Sequence, residues 1–279
     1  MLQRNSVRLA KHAVLVVLGF VMLYPLLWMV SSSFNEDTEI FRNVSLFPNA
    51  PTLQNYVHGW AGLSGVTFGR FFLNSFFIVA LCVVGNLIAC SMAGYAFARL
   101  DFALRRVWFA VMMVTLMLPF HVTVIPQYIV FNHLELVNTY WPLVLPKFLG
   151  VEGFFIFLMV QFMRNIPREL DEAALADGCG PVRIYWYLIL PLSVPAIITT
   201  TIFTFIWTWN DYFSQLLYIS NLHLYTVALA LRQFVDTMGQ TSWGALFAMS
   251  TLSLVPLFAV FLFFQRYLIE GIVAGGLKG

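Results

Sequence analysis

Six stretches of the chain are apolar almost without interruption: Ala13–Val30, Phe71–Phe97, Val107–Val130, Phe148–Met163, Leu192–Phe213 and Trp243–Phe264. A helix needs about 20 mainly apolar residues to cross a bilayer, and each stretch is near that length. The stretches are continuous, whereas a membrane barrel alternates apolar and polar positions in strands of about ten residues. The pattern therefore predicts an all-α integral membrane protein with six transmembrane helices. The fourth span has the least sharp start. Its upstream flank, "NTYWPLVLPKF", holds Pro142, Pro146 and Lys147, and the span can begin several residues earlier. The first span follows Arg4, Arg8 and Lys11 and runs for 18 residues, including Tyr24, Pro25 and Trp28. A signal-peptide core is about 7–15 residues, so this run is read as a retained helix that also directs insertion, although Ser31–Ser33 offers small residues for cleavage.

Composition agrees with the pattern. The chain has 279 residues, 60% hydrophobic and only 10% charged, with a mean hydropathy of +0.82. A soluble domain carries roughly a quarter charged residues, so this chain cannot cover a soluble surface. No linker or polar block is long enough to form a second domain, and residues 1–279 are expected to make one. Cys82, Cys90 and Cys179 lack ligand spacing and read as small packing residues. The five histidines, at 12, 58, 121, 133 and 223, form no metal-binding pattern.

Charge gives direction. With the N-terminus cytoplasmic, the inner side holds Arg4, Arg8, Lys11, Arg99, Arg105, Arg106, Arg164, Arg168, Arg183, Arg266 and Lys278, which is eleven of the fifteen Lys and Arg. Such a bias places both termini inside the cell. Arg42, Arg70 and Arg232 fall outside, with Lys147 near the outer boundary. Trp60, Trp141, Trp207, Trp209, Tyr212 and Trp243 mark the outer interface. The segment between spans four and five, about residues 164–191, is then cytoplasmic.

That segment is unlike the rest of the chain. "RELDEAALADGCG" (168–180) holds four of the thirteen acids, at Glu169, Asp171, Glu172 and Asp177. Pro167 suits a first helical turn, and the early acids complement the helix dipole. Gly178 ends the helix after about three turns, and Gly180 with Pro181 begins another. Ala173, Ala174 and Gly178 leave one side nearly free of side-chain bulk, which another protein can approach closely. From composition alone, a solvated connecting loop is an equal reading.

The sequence pattern is more specific. Glu172, Ala173, Ala174 and Gly178, followed by Leu188, Leu190 and Pro191, resemble the signature loop of bacterial ABC importer permeases. Leu188 stands where that family usually has Ile. "IPQYIVFNHLELVNTYWPLVLP", "FMRNIPRELDEAALADG", "WTWNDYF" and "RYLIEGIVAGGLKG" resemble the carbohydrate-uptake branch, which includes the second permease of maltose and glycerol-3-phosphate importers. The resemblance implies a bacterial inner-membrane permease paired with a second homologous permease, two cytoplasmic ATP-binding subunits and an extracytoplasmic substrate-binding protein. It implies that Glu169, Glu172, Ala173, Ala174, Asp177, Gly178 and Pro191 belong to a coupling helix and loop that meet an ATPase subunit. The chain has no G-x-x-x-x-G-K-[ST] loop, so ATP and Mg would be bound by the partner ATPases, with no cofactor and no catalysis in this chain. The solute implied is a sugar. A polyol, a sugar phosphate or a phosphodiester is the alternative, and a secondary transporter a more distant one.

Polar residues within spans are costly and usually functional. Thr200, Thr204, Thr208 and Asp211 share a helical face in span five, with Asn210 beside them. They read either as a polar stripe along a solute path, with Trp209 and Tyr212 as stacking surfaces, or as threonines bonded to their own backbone. Asp211 lies about 30 Å beyond Pro191 at helical rise, a depth that also fits a solvated interface. Glu152 in span four is roughly 18 Å from Arg164 and should face a wet cavity or pair with Lys147. Gln127, beside Pro126, is the candidate in span three. Cys82, Gly85, Ala89, Ala93 and Ala96 predict a close-packing seam on span two.

Overall fold

The computed structural model describes residues 2–42, 45–48, 51–235 and 241–276, with side chains at Arg8 and from Lys11 to Arg266. Among these residues there is no strand, only an isolated bridge between Leu63 and Val66. In chain order the helices are α1 (Leu2–Ser32), α2 (Gln54–Ala61), α3 (Phe68–Arg99), α4 (Arg105–Thr115), α5 (Phe120–His133), α6 (Trp141–Phe148) and α7 (Gly153–Arg164). Then come α8 (Glu169–Ala176), α9 (Pro181–Ile184), a π turn (Tyr185–Ile189), α10 (Leu190–Leu192), α11 (Val194–Asn210), α12 (Phe213–Tyr218), α13 (Val227–Gln233) and α14 (Trp243–Gly276). The chain divides into two compact units, Met1–Gly69 with Ala230–Val255, and Arg70–Leu229 with Pro256–Gly279.

Among the described residues, four helices are long and apolar enough to cross a membrane: Lys11–Ser32, Phe68–Arg99, Trp141–Arg164 and Trp243–Arg266. Two bent pairs bring the number to six if each pair is one span. In the third span, Arg105–Thr115 and Phe120–His133 meet at 102° rather than forming one rod. Pro119 takes an extended backbone, φ −61° and ψ 135°, at the start of the second piece. Its ring lacks an N–H and crowds the preceding turn, so a helix cannot run straight through it. In the fifth span, Pro181–Leu192 and Val194–Asn210 are bent by 75° at Ser193, between Pro191 and Pro195. The fourth span starts at Trp141, seven residues before the apolar run suggests. It breaks between Phe148 and Gly153, where Gly150 takes φ +67°.

In the first unit, polar groups anchor the turn after α1. Asn55 donates to the carbonyls of Ser33 and Asn35 at 2.9 and 2.7 Å. The Gly244 amide donates to Asp37 at 2.6 Å. Trp28 meets the Phe247 ring edge-on at 5.5 Å.

In the second unit, α3 is the spine. Ile78 and Cys82 pack with Phe131, Leu143, Val144 and Tyr218. Cys90 packs with Phe155, Ile156 and Val160. Tyr95 and Ala98 pack with Met159, Met163, Ile184, Tyr185 and Ile189. Of the predicted seam, Cys82, Gly85 and Ala93 pack against neighbouring helices, and Gly94 joins them. A Cβ on Gly85 would lie 2.7 Å from the Phe148 ring, and one on Gly94 would lie 2.5 Å from the Met159 Cβ. Lipid tails are as apolar as these side chains, so close van der Waals packing holds the helices together, and small residues make it possible.

Candidate functional site

Two places in the second unit gather the polar residues singled out above. The first is the segment after α7. Helix α8 runs for eight residues from Glu169 to Ala176, two turns where the sequence suggests three. Glu169, Asp171 and Glu172 fall in its first turn. Gly178 takes φ +80°, a conformation that L side chains rarely adopt. A Cβ built there meets nothing within 4 Å. The Gly178 and Cys179 amides close the helix by donating to the carbonyls of Leu175 and Ala174 at 3.0 and 2.9 Å. Glu169, Glu172, Ala173, Asp177, Gly178 and Pro191 are all exposed. Ala174 is half-buried and packs, with Cys179 and Leu188, on the cluster around Tyr95 and Met159. The helix therefore turns one alanine inward and the other outward.

An arginine ties this segment to the end of α3. Arg99 donates to Asp171 at 2.9 Å and to the carbonyls of Met163 and Ile166, each at 2.6 Å. The Arg99 side chain is 3% exposed and that of Asp171 16%. Arg168 adds a bond to the Ala98 carbonyl at 3.2 Å. The free carbonyls at the end of α7 are thus satisfied by a guanidinium, whose charge also holds α8. Nothing in the sequence pattern picks out Arg99 or Asp171. An arginine closing an apolar run looks like an interfacial residue, and Asp171 looks like one acid among four.

The second place is a pair of adjoining clefts. One, of about 780 Å³, is lined by Gln127, Lys147, Glu152 and Asp211 together with Trp108, Phe120 and Tyr218. The other, of about 390 Å³, is lined by Cys82, Lys147, Trp207, Thr208, Asn210 and Asp211. Phe120, Lys147, Asp211 and Ser214 border both. Lys147 Nζ is hydrogen-bonded to Glu152 across the break between α6 and α7. Asp211 accepts the Ser214 amide at 3.0 Å, because the chain turns extended at Asp211, φ −69° and ψ 100°, where α11 ends. Gln127, Glu152, Thr208, Asn210 and Asp211, drawn from three spans, therefore share one region.

Thr204 does not join them. It is 2% exposed, and its hydroxyl accepts from Asn86 at 3.0 Å. Thr200 is fully buried, so only the outer half of the threonine face reaches a cleft. Trp209 is not a free stacking surface. It is 3% exposed, stacked on Phe205 at 9° and packed against Phe76 at 4.9 Å. Among the described residues, no group of three His, Cys, Asp or Glu could hold a metal ion.

Residues 85–273 match the protein family described as the binding-protein-dependent transport system inner membrane component. The chain belongs to that family. The permease, a multi-pass protein of the inner membrane, spans nearly the whole length of several relatives. It is 33% identical over 267 residues to the arabinooligosaccharides transport system permease protein AraQ of Halalkalibacterium halodurans, covering 94% of this chain and 93% of that one. It is 31% identical over 275 residues to the sn-glycerol-3-phosphate transport system permease protein UgpE of Yersinia enterocolitica, covering 97% of each. The probable ABC transporter permease protein YurM of Bacillus subtilis is 35% identical over 257 residues, 92% of this chain and 84% of that one. The fold matches a chain of a bacterial ABC transporter that imports the acidic polysaccharide alginate. The TM-score is 0.83 at 21% identity, covering 94% of this chain and 96% of that one.

Proposed function

We propose that this permease forms the translocation path of an ATP-driven sugar importer, as one domain over residues 1–279, together with a second homologous permease. Both termini face the cytoplasm, in keeping with the distribution of Lys and Arg. Two cytoplasmic subunits bind ATP and Mg and carry out the hydrolysis, and a binding protein outside delivers the solute. Helix α8 with its flanks is the coupling element. Glu169, Glu172, Ala173, Asp177, Gly178 and Pro191 are open to an ATPase subunit, and Ala174 seats the helix on its own chain. The single observation that carries this reading is the combination of an exposed α8 surface with the buried Arg99–Asp171 tie. A push on α8 is delivered to α3 and α7 rather than absorbed by a slack loop. The clefts at Gln127, Glu152, Thr208, Asn210 and Asp211 are the solute path, with Thr204 holding α11 against α3 behind it. The sugar assignment draws support from the arabinooligosaccharide relative.

The test is Gly178→Leu in the assembled importer. The chain is expected to insert and to pair with the second permease, while uptake is lost and the ATPase subunits no longer co-purify. Normal uptake would overturn the coupling role.

A further inference from the structure

The charge of the clefts bears on which solutes they accept. Among the described residues they hold together one cation, Lys147, against two carboxylates, Glu152 and Asp211, and no arginine lines either. Lys147 is already bonded to Glu152. Among the described residues the Asp211 carboxylate has no ion-pair partner; its one hydrogen bond there comes from the Ser214 amide. A site for phosphate or carboxylate groups needs the reverse, unpaired guanidinium or ammonium donors, with arginine favoured for its planar fork. Here the field at the cleft is negative, and a low-dielectric wall strengthens it. Carboxylates and the glutamine oxygen accept hydroxyl protons. Aromatic walls at Trp108 and Phe120 supply the apolar face that small-molecule pockets combine with a few polar groups.

We infer that the cleft is a subsite for uncharged polyhydroxylated solutes. Their hydroxyls donate to Asp211, Glu152 and Gln127, and solutes carrying a phosphate ester or a carboxylate are turned away by Asp211. The inference rests on the reading of this cleft as the solute path.

Ser214 is the place to test it. It borders both clefts, is partly exposed, and lies three residues from Asp211. The complete importer, with its second permease and ATPase subunits, is reconstituted in proteoliposomes carrying Ser214→Cys. Cys179→Ser removes the one native thiol that is not buried. Three methanethiosulfonate reagents are compared in the resting and ATP-bound states: a neutral methyl, a cationic trimethylammonium and an anionic sulfonate. Each rate is divided by that for a free thiol in solution. The cationic reagent is expected to react at least about tenfold faster than the anionic one, the low end of focusing by a charged cleft. Asp211→Asn is expected to bring the ratio close to one. A sulfonate rate equal to or above the trimethylammonium rate would overturn the inference and leave the path reading standing. No reaction with any reagent in either state would sink the path reading, and the subsite with it.

Discussion

Arg99 commits three of the five donors of a guanidinium to Asp171, Met163 and Ile166. Removing it leaves a buried carboxylate and two buried carbonyls without their partner. Arg99→Ala is therefore expected to cost about 3–5 kcal/mol, the range for breaking a buried ion pair from one side. Thermal unfolding of the purified assembly checks this. Asp171→Asn keeps the shape and one acceptor, and a smaller loss of roughly 1–3 kcal/mol is expected. Equal melting of Arg99→Ala and the parent would show that the tie carries nothing. Gly178 behaves differently. With φ +80° and open space around it, Ala and Leu carry the same backbone cost of about 1–2 kcal/mol in the permease itself. Any loss of uptake in Gly178→Leu beyond that in Gly178→Ala measures what a partner needs at that point. The glycine was legible from the sequence as a helix stop. The arginine was not, because burial depends on what folds over it.

Helix α8 is legible as an element and not as a surface. Acids in the first turn, alanines in the middle and a glycine beyond the end define a short helix under local rules. Which alanine faces outward depends on where α3 and α7 present their cluster. Ala173 is exposed and Ala174 packs inward. Ala173→Leu is accordingly expected to leave the melting temperature of the permease near the parent value while weakening co-purification of the ATPase subunits. Ala174→Leu is expected to destabilise the permease itself by about 1–3 kcal/mol through overpacking. Identical behaviour of the two variants would contradict this assignment of faces. The bends of the third and fifth spans belong to the same scale. Pro119, Pro191 and Pro195 announce that an irregularity is allowed, and the 102° and 75° angles come from what the two halves then pack against.

For the whole molecule, charge predicts the direction across the membrane. Positive residues resist translocation, and eleven of fifteen gather on one side when the N-terminus is inside. Asp177→Cys and Ser220→Cys, both at exposed positions, probe the two sides. In right-side-out vesicles an impermeant maleimide is expected to label Ser220→Cys and to reach Asp177→Cys only after permeabilisation. Immediate labelling of Asp177→Cys would invert the topology and detach α8 from any cytoplasmic ATPase.

The membrane class, the six apolar stretches, the bias of positive charge and the α8 pattern that marks a permease are legible along the chain alone. Each of these is a one-dimensional property, read from hydropathy, charge count or local helix chemistry. It takes the packed helices to bring Gln127, Glu152 and Asp211 to one cleft, to turn Thr204 to Asn86 and to set Arg99 on Asp171 from 72 residues away. These facts depend on which helices lie side by side. In a bilayer, the packing of small residues such as Gly85 and Gly94 against Phe148 and Met159 sets that, and hydropathy along the chain does not record it.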